Sequence, residues 1–252
     1  MLIAGFIVTV GLALLAAAWV FALEKLVPAR RREAHNDVLG FVYAVVGVAY
    51  AVLLGLVVVA AWNALEAASA NTYTETNALL QLDWYGHSLP QPQHAEVERL
   101  TMEYATIVFN TEWSMLAHQE SSPRAWAVDT RLRNLVQAEQ PTAPAAVARY
   151  EQALSATAQL DNARRERINQ AGEGIPGALW FALLLGGVIT IGFGFSFGMK
   201  STVVHALVMF SVTLLIVSLL LVVYELDYPF TGIVRVSPEA FKLALERMHL
   251  LS

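Results

Sequence analysis

Residues 37–85 read DVLGFVYAVVGVAYAVLLGLVVVAAWNALEAASANTYTETNALLQLDWY, and this stretch decides the fold. Its first part, Val38 to Trp62, carries no charge and exceeds the roughly 20 apolar residues that cross about 30 Å of hydrocarbon. From Leu56 to Tyr85 there is neither Gly nor Pro, so nothing breaks the helix where a span would have to stop. One helix from Asp37 to Asp83 is therefore predicted, roughly 70 Å long at 1.5 Å per residue. Trp62 sits where an interfacial aromatic belongs.

Working outward, Leu2–Leu23, Ile175–Phe197 and Thr202–Tyr224 are three further apolar runs, the last interrupted only by His205. The first lacks a basic n-region and is longer than a signal-peptide core, so it reads as a retained span. The expected fold is an all-α integral membrane protein with four transmembrane helices in two hairpins. Residues 1–62 and 175–224 form the hairpins, 63–174 an inserted helical bundle, and 225–252 a turn and amphipathic helix. Composition agrees: of 252 residues, 56% are hydrophobic and only 15% charged, against about 25% charged in soluble domains. Without cysteine, disulfides, thiolate catalysis and iron–sulfur clusters are excluded. A net charge of -5 argues against nucleic acid.

Within 63–174, Gly86–Pro92 is a turn, and a second helix is expected from His94 to Gln119 with Val97, Leu100, Tyr104, Ile107, Val108 and Met115 inward. Ser122-Pro123 opens a third helix, and Pro141–Pro144 opens a fourth that reaches Gln170. Lys25, Arg30, Arg31, Arg32 and Lys200 occupy the two hairpin loops, which the positive-inside rule places in the cytoplasm. Arg164, Arg165 and Arg167, close to the third span, oppose that assignment. The domain holds 14 Asp and Glu against 8 Arg, either a solvated surface or a charged vestibule favouring cations.

Two spans carry candidate pore features. In the second, Gly47, Ala51 and Gly55 repeat at four-residue spacing, which lets helix backbones approach closely. In the third, Gly192, Phe193, Gly194, Phe197 and Gly198 follow Gly186-Gly187, a composition that fits either close packing or local unwinding beside a cavity. No span has Asp, Glu, Lys or Arg near its centre, which disfavours a proton-coupled transporter. The six histidines lack metal-ligand spacing, although His87 and His94 flank one turn. There is no phosphate loop or Ser elbow. No enzyme, cofactor or metal is expected.

After the fourth span, Pro229 ends the helix, Gly232 permits a reversal, and a helix from Pro238 offers Phe241, Leu243, Leu245 and Met248 for packing. These residues complete a pattern. A basic first loop leads into Asp37 and a Gly- and Tyr-containing span; Glu75, Leu79, Leu82, Leu89-Pro90 and Glu112-Trp113 follow. Asp227, Pro229, Phe230, Gly232 and Ser237-Pro238 close it. The chain thereby resembles the bestrophin-like family of small, largely bacterial membrane proteins, distantly similar to bestrophin anion channels. The resemblance implies a homo-oligomer, a pentamer, in a bacterial inner membrane, passing small inorganic anions such as chloride through a pore lined by the second helix. By position, Tyr43, Val46, Tyr50 and Leu54 are the neck candidates, while Asp227 and Phe230 belong to a structural or gating element. Bestrophins keep the bundle in the cytoplasm, opposite to the side on which the positive-inside rule puts this bundle. A cation channel, or a non-conducting scaffold or sensor that binds a partner through its bundle, is the alternative.

Overall fold

A computed structural model describes residues 2–251. The described residues form ten α-helices and no strand: α1 Leu2–Leu26, α2 Ala29–Glu33, α3 Asn36–His87, α4 Gln93–Ile107, α5 Trp113–Leu116, α6 Pro123–Gln137, α7 Pro144–Gly172, α8 Gly177–Phe195, α9 Thr202–Leu226 and α10 Glu239–Leu251. α1, α3, α8 and α9 each hold a segment long and apolar enough to span a membrane. The unbroken α3 follows from the run without Gly or Pro between Leu56 and Tyr85. By spatial clustering the chain divides into two compact units. One comprises the chain up to Asn63 with Ile175–Asp227; the other comprises Ala64–Gly174 with the chain from Tyr228 onward.

In the membrane unit, α1 runs antiparallel to α9. Gly5 lies against Leu221 at one end, and Val20 clusters with Ala206 and Met209 at the other. α3 is antiparallel to α8: Tyr50 lies over Gly186 and Gly187, and Tyr43 meets Phe197 edge-on, ring centroids 5.5 Å apart. Large apolar side chains, Phe6, Leu15, Phe181 and Val188 among them, stay exposed in the isolated chain, as lipid-facing helices require.

The bundle unit packs α4, α6, α7 and α10 with the later turns of α3 around Leu79, Leu82, Leu100, Tyr104, Leu160 and Phe241. Ser122 caps α6, its hydroxyl accepting from the Ala125 N–H, with Pro123 as the first helical residue. The second helix departs from expectation. Val108–Glu112 form a π-helical turn between α4 and α5. The wider turn absorbs one residue and returns Glu112 to the face of Tyr104. Leu116 is therefore buried, where uniform helical spacing pointed to Met115. On α10, Phe241 and Met248 are buried as expected, but Leu243 faces outward.

Candidate functional site

In the membrane unit, α3 has two faces. Tyr43, Val46, Tyr50 and Leu54, the expected neck residues, lie on the face turned toward α8 and α9. Tyr50 is 7% exposed and Leu54 4%, both in a cluster with Leu183 and Ile216, while Tyr43 and Val46 are half-buried. The uncovered face presents Phe41, Val45, Val48, Val52, Leu56 and Val59, a stripe at alternating steps of three and four residues.

Beside that stripe runs a groove of about 530 Å³, floored by Gly47, Ala51 and Gly55 and walled by Thr190, Val212 and Leu215. A Cβ added at Gly47 or Gly55 would meet nothing within 4 Å. Among the described residues, Gly47 and Gly55 therefore have no close packing partner inside the protomer.

The glycine-rich third span is not unwound. α8 continues through Gly192, Phe193 and Gly194 to Phe195, and Gly186 and Gly194 serve close contacts. A Cβ at Gly186 would fall 2.5 Å from the Tyr50 ring, and one at Gly194 would fall 2.6 Å from the Met209 sulfur. Gly198 is wedged under the first connector: its N–H donates to Asn36 Oδ1 at 3.0 Å and its carbonyl accepts from Asn36 Nδ2 at 2.8 Å. Arg32, buried and paired with Glu24, donates to the carbonyls of Phe195 and Phe197 at 3.0 and 2.9 Å, capping the C-terminus of α8. At the far end, Asp227 accepts from the Ile175 N–H at 2.6 Å and from the Trp180 indole at 3.1 Å.

The bundle unit centres on an ion network in which every charged side chain is fully buried. Arg167 donates to Glu75 at 2.6 and 3.0 Å and to Glu112 at 2.8 Å. Arg164 clasps both oxygens of Glu112 at 2.9 and 2.7 Å, and the Ser122 N–H donates to the same carboxylate. The Tyr104 hydroxyl donates to Glu75, and the Arg164 guanidinium lies 4.5 Å from the Trp126 ring centre. Burial pushes the Tyr104 phenol well up, and the Glu75 charge adds to that. For Glu112, burial acts upward, but the two guanidinium charges outweigh it and hold its carboxyl below the usual range. Of the family-motif residues, Glu75 and Glu112 form the network and Trp113 borders it, 5.6 Å from the Arg167 guanidinium. Phe230 stacks edge-on against Trp113 at 5.5 Å. Pro229 accepts from the Val236 N–H, and Gly232 takes the left-handed φ of 73° that the reversal needs. Arg164 and Arg167 are thus structural ions rather than interfacial ones. Their burial could not be read from the sequence, because the partner carboxylates lie 52 and 92 residues away.

A second buried carboxylate is less well provided for. Asp83 accepts from the Thr101 hydroxyl at 2.9 Å, but its other oxygen has no hydrogen-bond partner among the described residues. His87 is 3.7 Å away, beside His94 across the turn. Desolvation raises the Asp83 pKa. A carboxyl with a raised folded-state pKa stabilises the protonated form, so folding loses stability as pH climbs from the unfolded toward the folded value. Asp83→Asn should therefore melt above wild type at pH 7, with the gap closing below about pH 4. Equal melting temperatures across that range would refute the cost assigned to this carboxylate.

Comparison with known proteins agrees with this fold. The Bestrophin-like domain matches residues 10–241. The chain belongs to the Bestrophin-like family. Its fold is that of a bacterial Bestrophin homolog from Klebsiella pneumoniae: one variant superposes with a TM-score of 0.73 at 14% identity, covering 97% of this chain and 99% of the other. A second structure of that homolog gives 0.68 at 15% identity, covering 97% of each chain. No curated protein matches the sequence. At this identity the likeness establishes the fold of this Bestrophin-like chain, an integral membrane protein with four spans.

Proposed function

We propose that this Bestrophin-like protein is a homo-oligomeric channel, by family resemblance a pentamer in a bacterial inner membrane, passing small inorganic anions. The observation that carries the reading is the uncovered face of α3. Phe41, Val45, Val48, Val52, Leu56 and Val59 form an apolar stripe of the kind that gates a pore by dewetting. The glycine-floored groove beside it is a seat for a neighbouring copy's helix. The absence of centrally placed ionic residues suits passive conduction rather than proton coupling.

The test is flux from proteoliposomes under an imposed potential, with chloride, nitrate and potassium measured separately. Chloride and nitrate flux without potassium supports the reading. Potassium flux would keep the pore and reverse the ion sign, and no flux from intact, inserted protein would favour a non-conducting scaffold.

Three variants separate the pore, the core and the seam. Val52→Thr should raise conductance by wetting the constriction. Tyr50→Ala should instead cost stability, about 3–5 kcal/mol for a large buried aromatic, without opening a pathway. Gly55→Leu, whose Cβ meets nothing within 4 Å, should disperse the oligomer and cut flux on the order of tenfold or more, a cost of about 1.4 kcal/mol at the seam. An oligomer and flux unchanged by Gly55→Leu would remove the groove from the interface.

A further inference from the structure

The connector end of the membrane unit carries a cluster of cations that the fold does not use. The α1–α3 connector and the α8–α9 connector are held together by Arg32 and by the paired Asn36–Gly198 bonds. That brings Lys25, Arg30, Arg31 and Lys200 to the same end of the unit. All four are exposed, and among the described residues none makes an ion pair or a side-chain hydrogen bond. The local carboxylates do not balance them. Glu24 is committed to Arg32, which leaves only Glu33 and Asp37 beside four free cations. The whole chain, by contrast, has a net charge of -5.

The setting of these cations is apolar. Leu26 (72% exposed) and Val27 directly follow Lys25, and Val203 and Val204 begin the helix just after Lys200. Exposed aliphatic side chains next to exposed cations suit a ligand with a phosphate head and a hydrocarbon tail. A soluble anion or an acidic protein would leave the aliphatic side chains uncovered. Guanidinium groups donate to phosphate oxygens in a matching fork, and ammonium groups supply point charges.

We propose that this end of the membrane unit is a binding surface for anionic phospholipid headgroups of the surrounding leaflet. Arg32 is excluded from it, since it is buried and its terminal nitrogens are taken by Glu24 and by the carbonyls of Phe195 and Phe197. Arg30 and Arg31, its neighbours on the same short helix, are free to take phosphates. The assignment does not depend on conduction and holds for a channel or a scaffold alike.

The test is lipid retention by the full-length protein, read by native mass spectrometry from nanodiscs holding equal phosphatidylglycerol and phosphatidylcholine. Wild type should retain phosphatidylglycerol preferentially, and the preference should fall as salt is raised. Each of Lys25→Gln, Arg30→Gln, Arg31→Gln and Lys200→Gln should lower it about fivefold, the factor corresponding to one basic residue near an anionic surface. The exposed, unbonded side chains make these variants safe for folding, and an unchanged melting temperature verifies that. Equal retention of the two lipids by wild type, or undiminished preference in the quadruple variant, would overturn the proposal. Displacement of phosphatidylglycerol by inorganic phosphate alone would overturn the lipid assignment in favour of a soluble anion.

Discussion

Arg167→Met should cost about 3–5 kcal/mol, because it removes one partner of a fully buried ion pair and strands the other. For a chain of this length that lowers the melting temperature by about 10 °C or more. Glu75 would keep only the Tyr104 hydroxyl as donor, and Glu112 would keep Arg164 and the Ser122 N–H. Glu75 therefore bears most of the loss. Adding Glu75→Gln to Arg167→Met should recover part of it, since an amide oxygen still accepts from Tyr104 and no uncompensated charge stays buried. The pH dependence has a defined sign. The Glu112 carboxyl is held below its ordinary range, so its contribution is complete above about pH 4.3 and fades as pH falls through the lower folded-state value. Thermal melts of wild type, single and double variants in detergent test this. A single variant that melts with wild type, or a double variant no better than the single, would show that the network does not hold the bundle together.

Much of this architecture is local physics and legible in the sequence. The four apolar runs, the uninterrupted α3, the Ser122-Pro123 start and the Pro229–Gly232 reversal each rest on residues adjacent in the chain. What escaped reading is non-local. The pairing of Tyr50 with Gly186-Gly187 joins residues more than 130 positions apart, so the burial of Tyr50 has no local signature. The π-turn at Val108–Glu112 leaves no mark on composition, yet it decides that Glu112 and Leu116 are buried. Arg164 and Arg167 lie on the buried stripe of α7 with Leu160 and Ala171, where periodicity asks for apolar residues. One buried-site signal was present: Glu75 and Glu112-Trp113 belong to the family pattern, and they meet at one place although they lie on different helices. The charge count of the first loop was also incomplete as an account of its residues, since Arg32 caps a helix while its neighbours are free.

The glycines at the end of α8 should differ sharply in what they tolerate, because the space around them differs. Gly192→Ala meets nothing within 4 Å, and alanine favours a helix over glycine by about 1 kcal/mol, so this variant should be neutral or slightly more stable. Gly194→Ala places a methyl 2.6 Å from the Met209 sulfur, the far end of a flexible side chain that can turn aside. A loss of about 1–2 kcal/mol is expected there. Gly198→Ala has no such relief. Its Cβ would fall 2.4 Å from the Ala29 carbonyl oxygen and 2.5 Å from the Glu33 nitrogen, both backbone atoms. To admit it, α2 must lift away, which breaks both Asn36 bonds and draws Arg32 from the carbonyls of Phe195 and Phe197. The loss should be about 3 kcal/mol or more, seen as a collapse in the yield of monodisperse protein and a melting temperature well below wild type. Measured together, the three variants separate two accounts of the glycine-rich run. If flexibility of α8 were the requirement, Gly192 would be as intolerant as Gly198; if close approach of the connector is the requirement, only Gly198 fails outright.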